Sequence, residues 1–77
     1  MDVRVKLNLG LEHYLNDKNR YKTVQVEDNT TIRKLIKRTG IPLEDVCIIM
    51  VNGKYQKEDY RLKPDDIVSL FPPIGGG

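Results

Sequence analysis

Residues 46–55 read VCIIMVNGKY. The first six are a continuous apolar run of strand length, and Asn52-Gly53 after them is a strong signal for a tight hairpin turn. Lys54 and Tyr55 leave room for a short returning strand at best. The segment therefore predicts a buried strand that ends in a hairpin.

The N-terminal segment alternates apolar and polar residues, which predicts a strand with one buried face. Its apolar positions are Val3, Val5, Leu7 and Leu9. Residues 10–22 are mostly polar and irregular, and we interpret them as a long hairpin connection. Residues 23–26 alternate again, with Val24 and Val26 inward. Two strands this close in sequence are expected to pair antiparallel.

Residues 31–39 have the spacing of one short amphipathic helix, with Thr30 as the expected N-terminal cap. Gly40 stands where a left-handed C-terminal cap is needed, and Pro42 cannot continue the helix. The outer face of the helix is basic and is formed by Arg33, Lys34, Lys37 and Arg38.

The last strand is predicted at residues 67–71, after an inward Leu62 and a turn at residues 63–66. Pro72-Pro73 ends it. The element order is strand, strand, helix, strand, short strand, strand. This order predicts an α+β fold, with a mixed sheet of four to five strands and one helix packed on one face. Residues 1–71 form the domain and residues 72–77 a tail.

Size and composition limit the function. The chain has 77 residues, of which 39% are hydrophobic and 31% charged, as in a small globular domain with a thin core and no deep pocket. The formal net charge of +2 is too small to imply a nucleic-acid or membrane partner. The N-terminus does not resemble a signal peptide, so a cytoplasmic location is expected. Cys47 is the single cysteine, which excludes an internal disulfide.

The tail is the first feature that indicates a function. Gly75, Gly76 and Gly77 have no Cβ and resist ordering, while the two prolines before them stiffen the exit from the sheet. Such an end can thread a narrow channel in another protein and present its terminal carboxylate there. The alternative is an ordinary frayed terminus.

The second feature is an excess of apolar residues on the side of the sheet that one helix cannot cover. Alternation in residues 46–51 turns Cys47, Ile49 and Val51 toward the helix and leaves Ile48 and Met50 on the other side. In the last strand Ile67, Ser69 and Phe71 are left on that side. Ile48, Met50 and Phe71 are therefore expected to form an apolar interaction patch beside the base of the tail. The alternative is scattered surface hydrophobes.

Other candidate residues have simpler interpretations. Cys47 in an apolar strand is expected to be a small core residue. His13 lies in a polar segment without neighbouring ligands, so no metal site is expected there. The carboxylates of residues 44–45 and 65–66 are interpreted as turn formers and solubilising groups rather than an acid–base pair.

Three segments resemble a known family: residues 51–55 read VNGKY, residues 62–68 read LKPDDIV and residues 71–77 read FPPIGGG. They are similar to the ubiquitin-like sulfur carriers, which include the small subunit of molybdopterin synthase and the thiamin-thiazole sulfur carrier. The ending resembles the molybdopterin synthase type, whereas the short segment 31–45 is closer to the thiazole type. The resemblance implies a ubiquitin-like β-grasp fold.

The resemblance also implies a carrier rather than an enzyme. A ubiquitin-activating-like partner that binds ATP and magnesium would adenylate the Gly77 carboxylate, with Gly76 giving access. A persulfide donor would convert it to a thiocarboxylate for a sulfur-acceptor synthase subunit, of molybdopterin synthesis first and of thiazole synthesis next. This chain itself would bind no cofactor. The residues expected to contact partners are Ile48, Met50, Phe71, Ile74 and Gly75.

Two alternatives of other classes remain open. A ubiquitin-like protein modifier would use Gly77 for isopeptide bonds to lysines, and its chemistry begins in the same way. A β-grasp module that binds RNA or a ligand without tail chemistry is supported only by the basic helix face.

Overall fold

A computed structural model describes residues 1–11 and 21–73 of the chain. The strands are β1 Asp2–Leu7, β2 Tyr21–Gln25, β3 Ile48–Val51, β4 Lys54–Tyr55 and β5 Ile67–Phe71. Helix α1 spans Ile32–Thr39, and a 3-10 helix spans Leu43–Asp45. The order of elements is the predicted one, with the 3-10 helix as an addition.

The five strands form one mixed sheet in the order β2-β1-β5-β3-β4. β1 pairs antiparallel with β2, as predicted, and parallel with β5. β3 pairs antiparallel with β5 and with the short strand β4. The α+β class and the β-grasp layout are therefore confirmed.

One face of this sheet, the covered face, packs against α1. It contributes buried apolar residues from three strands, and the helix contributes three more. The strand residues are Val3, Val5, Leu7, Val51, Val68 and Leu70, and the helix residues are Ile32, Leu35 and Ile36. Leu62, Val26 and Ile41 close the rim of this core. The opposite side of the sheet is called the open face below.

Helix α1 has a capped N-terminus, but the cap is Thr31 and not the predicted Thr30. The Thr31 hydroxyl oxygen accepts a hydrogen bond from the backbone N–H of Lys34 at 3.4 Å. The hydroxyl of Thr30 donates instead to the Glu27 carbonyl at 2.6 Å. The predicted cap at Gly40 is confirmed, with a φ of 81° and an N–H donated to the Lys37 carbonyl.

The hairpin turn and the last strand match the prediction. Asn52 and Gly53 have φ angles of 52° and 85°, which is the pair of positive values that a type I′ turn requires. The bounds of β5 are those predicted from its pattern.

Two predictions at strand ends are wrong. Leu9 does not continue β1: it has a φ of 53° and is 61% exposed. The side-chain amide of Asn8 bonds to the Leu70 carbonyl at 3.1 Å, and the Leu11 N–H bonds back to the Asn8 carbonyl, so the chain turns there. Cys47 is exposed rather than buried, because β3 begins only at the next residue.

The second strand also differs from its predicted bounds. It starts at Tyr21, inside the predicted connection, and ends before Val26. Val26 is nevertheless buried, because its N–H bonds to the Met1 carbonyl and its own carbonyl accepts from the Met1 ammonium.

Candidate functional site: the open face and the base of the tail

The open face brings together the three apolar residues that the sequence selected on the strands. Ile48 of β3 lies directly opposite Phe71 of β5, and Met50 lies opposite Ser69. All three apolar side chains are half-buried, in contrast to their neighbours Val51 and Leu70 on the covered face. The predicted patch is thus a continuous surface, while its use for docking stays a prediction.

Two further residues extend this surface. Ile67 lies two residues before Ser69 on β5 and is half-buried. Tyr55 of β4 lies opposite Met50 and is 74% exposed. We call Ile48, Met50, Tyr55, Ile67 and Phe71 the apolar patch. Tyr55 was missed in the sequence, although a two-residue turn after Met50-Val51 places it opposite Met50.

The other half of the open face is polar and basic. Alternation along β1 puts Arg4 and Lys6 on this side, and the parallel register places them beside Ile67 and Ser69. The Lys6 ammonium lies 5.5 Å from the centre of the Tyr21 ring, within the range of a cation–π contact. Neither cation was predicted as a site residue, because the pairing of β1 with β5 joins residues that are more than 60 positions apart.

Arg4 and Lys6 differ in their surroundings. Arg4 lines a shallow hollow of about 400 Å³ together with Asp2, Thr23, Asp65 and Ile67. Two acidic residues, Asp2 and Asp65, therefore line the same hollow as Arg4. The residues around Lys6 in the register are Tyr21 and Ser69, neither of which is acidic.

A hydrogen-bond network holds the β3–β4 turn against the start of β5. The Asn52 side-chain amide donates to Asp66 at 2.9 Å, and its oxygen accepts from the Ile67 N–H at 3.0 Å. The second oxygen of Asp66 accepts from the Lys63 N–H at 2.8 Å. Asp66 is only 4% exposed, so its predicted role as a solubilising group is wrong. It is a buried, fully bonded turn residue that fixes the register of the patch.

The base of the tail leaves the sheet beside the patch. The Cys47 N–H donates to the Phe71 carbonyl at 2.8 Å, which holds the residue before β3 against the end of β5. Pro72 is half-buried and Pro73 is exposed. The other predicted site residues, Ile74, Gly75, Gly76 and Gly77, lie outside the described residues, as does His13.

Neither a metal-binding cluster nor a membrane-spanning helix is found in residues 1–11 and 21–73. No three His, Cys, Asp or Glu side chains in these segments lie close enough together to hold a metal ion. None of the helices found there is long and apolar enough to span a membrane.

Comparison with known proteins gives one family match. A model described as the ThiS family matches residues 13–77, which is most of the chain. No curated protein is significantly similar to the chain.

Several solved structures share the fold. The molybdopterin converting factor subunit 1 from Pyrococcus furiosus is 24% identical, with a TM-score of 0.76 over 95% of this chain and 98% of that one. The small archaeal modifier protein 1 from Haloferax volcanii is 18% identical, with a TM-score of 0.78 over 95% and 98%. A chain in the complex of subunits 1 and 2 of the molybdopterin-converting factor from Helicobacter pylori is 24% identical, with a TM-score of 0.64 over 100% of both chains. At these identities the likeness shows the fold alone.

Proposed function

Because the chain belongs to the ThiS family of ubiquitin-like β-grasp proteins, we propose that it carries sulfur on the terminal carboxylate of Gly77. The observation that supports this most directly is the position of the apolar patch. Phe71, a member of the patch, is followed at once by Pro72-Pro73 and the glycine tail. A partner that docks on the patch is therefore beside the point where the tail begins.

The chemistry proposed for Gly77 has three steps. A carboxylate is a poor acyl donor because it has no good leaving group. Its oxygen attacks the α-phosphorus of ATP on an adenylating partner, pyrophosphate leaves, and an acyl adenylate forms. The terminal sulfur of a donor persulfide then attacks the acyl carbon and AMP leaves. A thiol reduces the resulting S–S bond and releases the thiocarboxylate.

The chain's own contribution to this chemistry is recognition and access. The apolar patch buries its five side chains against the partner, and the absence of Cβ atoms in Gly75, Gly76 and Gly77 lets the carboxylate reach a narrow adenylation site. ATP, magnesium and the persulfide belong to the partners. Ile74 is proposed to anchor the tail where it enters the channel.

The acceptor is proposed to be a synthase subunit, of molybdopterin formation first and of thiazole formation second. The solved complex of two molybdopterin-converting factor subunits, one chain of which resembles this one, supports the first choice. Thiazole formation is the second choice because segment 31–45 resembles the thiazole type of carrier.

Intact mass of the protein purified from its own cells tests the carrier proposal. A thiocarboxylate adds about 16 Da, since one sulfur replaces one oxygen at the acyl carbon. The added mass should disappear in a variant that lacks Gly77 and in one with an alanine appended after Gly77. If the protein shows only the free carboxylate, even after incubation with ATP, the organism's ubiquitin-activating-like enzymes and a persulfide donor, the proposal is wrong.

A protein modifier is the second candidate, since the chain shares its fold with the small archaeal modifier protein 1. This function predicts high-molecular-weight conjugates in cells that vanish when Gly77 is deleted. A carrier without modifier function predicts none.

A further inference from the structure

Lys6 occupies an unusual place on the open face. A row of residues in register crosses all five strands through it: Tyr21, Lys6, Ser69, Met50 and Tyr55. Ser69, its neighbour on β5, is flanked by Ile67 and Phe71 of the apolar patch. Lys6 itself is half-buried, as is common for a long side chain that packs its aliphatic part on a sheet.

The charge of Lys6 is not neutralised within the part of the chain that the structure describes. The ion pair found there joins Arg33 and Glu58 on the other side of the molecule, at 2.8 Å. The contact made by the Lys6 ammonium is with the Tyr21 ring, which is uncharged. Arg4 is the other cation of this face, and it lines a hollow together with two acidic residues, Asp2 and Asp65.

A partner that covers the apolar patch also covers Lys6, because the two are adjacent in the sheet. Taking an ammonium out of water is unfavourable unless an anionic group replaces the lost hydration. A partner surface that is apolar throughout would therefore bind this face poorly. One that places a carboxylate opposite Lys6 would gain both affinity and a fixed orientation.

We propose that Lys6 is a specificity-determining residue of the open face, and that the adenylating enzyme presents an acidic side chain to it beside an apolar docking surface. This inference rests on the proposed carrier function and adds to it the chemistry by which the partner is selected. The basic outer face of α1 has no part in it, since that face lies on the opposite side of the sheet.

The test compares Lys6→Met with Lys34→Met, which removes the same charge from the exposed face of α1. Each variant is assayed by ATP–pyrophosphate exchange with the ubiquitin-activating-like enzyme of the same organism that adenylates the wild-type chain. Lys6→Met should raise the KM for the carrier roughly tenfold, because it leaves the partner's carboxylate buried and unpaired. Lys34→Met should change the KM by less than about twofold, as exposed charges contribute little.

Salt provides a second readout that a purely structural role of Lys6 would not affect. The KM of the wild-type chain should rise between low and high salt, and this rise should be smaller in Lys6→Met because the screened interaction is already gone. Tyr21→Leu keeps the charge and removes the ring, so it should leave the KM within about threefold of wild type.

The outcomes separate the two proposals. If Lys6→Met is adenylated with an unchanged KM, or if Lys34→Met or Tyr21→Leu raises the KM as much, the inference about Lys6 is overturned while the carrier function stands. If none of the organism's ubiquitin-activating-like enzymes adenylates the wild-type chain, the carrier function fails and the inference fails with it.

Discussion

The covered and open faces are made by the same strands, yet they differ in what their residues do. Leu70 and Phe71 are neighbours on β5: the first is fully buried against α1, and the second is half-buried beside Ile48. Val5 and Lys6 are neighbours on β1 with the same contrast. One face is committed to the core, and the other keeps apolar and cationic groups at the surface.

Within residues 1–11 and 21–73, this difference follows from one α-helix serving a five-stranded sheet. The helix α1 has eight residues and can cover only one side. The apolar residues of the open face are therefore not needed to close the core, which is consistent with the docking role proposed for them. Substitutions on the two faces can test whether the covered face serves stability and the open face serves binding.

The largest effect is expected from a pair of alanine substitutions on β5. Leu70→Ala removes a fully buried side chain and should lower the free energy of unfolding by about 2–5 kcal/mol. Phe71→Ala removes a half-buried ring and should lower it by only about 1 kcal/mol. Urea unfolding followed by circular dichroism measures both.

The order of the two effects should be reversed in partner binding, where Phe71→Ala should matter more than Leu70→Ala. Phe71→Ala should raise the KM for adenylation, since it removes a member of the apolar patch next to the tail. Equal losses of stability in the two variants would show that the open face also serves the core, and would weaken the case for docking there.

A smaller effect is expected at Asp66, which fixes the register of both faces. Asp66→Ala should cost about 1–3 kcal/mol of unfolding free energy, because it removes two partly buried hydrogen bonds, from the Asn52 amide and the Lys63 N–H. A double-mutant cycle with Asn52→Ala isolates the bond between the two side chains. The strain of alanine at the positive φ of residue 52 occurs in both arms and cancels.

The cycle should give a coupling energy of about 1 kcal/mol between Asn52 and Asp66. A coupling near zero would mean that the turn holds its register through the backbone alone.

The smallest effect is expected at Cys47, where the covered face ends. Cys47→Ser should change the free energy of unfolding by no more than about 0.5 kcal/mol, since the side chain is exposed. The native thiol should also react with iodoacetamide about as fast as in the unfolded chain.

The matched control places the thiol inside the covered face. In a Cys47→Ser, Val51→Cys double variant the only thiol occupies a position that is 3% exposed in the wild type, and it should be protected until the protein opens. Rapid alkylation at both positions would show that β3 is not held against the core along its length.

Much of the fold could be predicted from local patterns. The positive φ angles at Asn52 and Gly53, the left-handed cap at Gly40 and the bounds of β5 all follow from residue types that favour those conformations. The sequence also predicted correctly that Ile48 and Phe71 share a face. The family match over residues 13–77 agrees with the resemblance carried by residues 51–77.

The wrong predictions share a physical cause. Thr30 and Thr31 are equally good caps in isolation, and the choice depends on a long-range contact: the Thr30 carbonyl accepts from the Leu62 N–H at 2.8 Å. Cys47 belongs to an apolar run, but whether it is buried depends on where the strand begins relative to the helix. The residues around Asp66 in the sequence predict a surface turn, because its hydrogen-bond partner Asn52 lies 14 positions earlier in the chain.

The sequence by itself determined the elements, their turns and the side of each strand on which a residue lies, because a period of two fixes the face. It also determined the glycine tail on which the proposed chemistry depends. The tertiary structure alone decided which strands are neighbours beyond the two hairpins, β1–β2 and β3–β4, that the sequence predicted. The parallel pairing of β1 with β5 sets Lys6 beside the apolar patch, and no local pattern encodes a contact between residues so far apart in the chain.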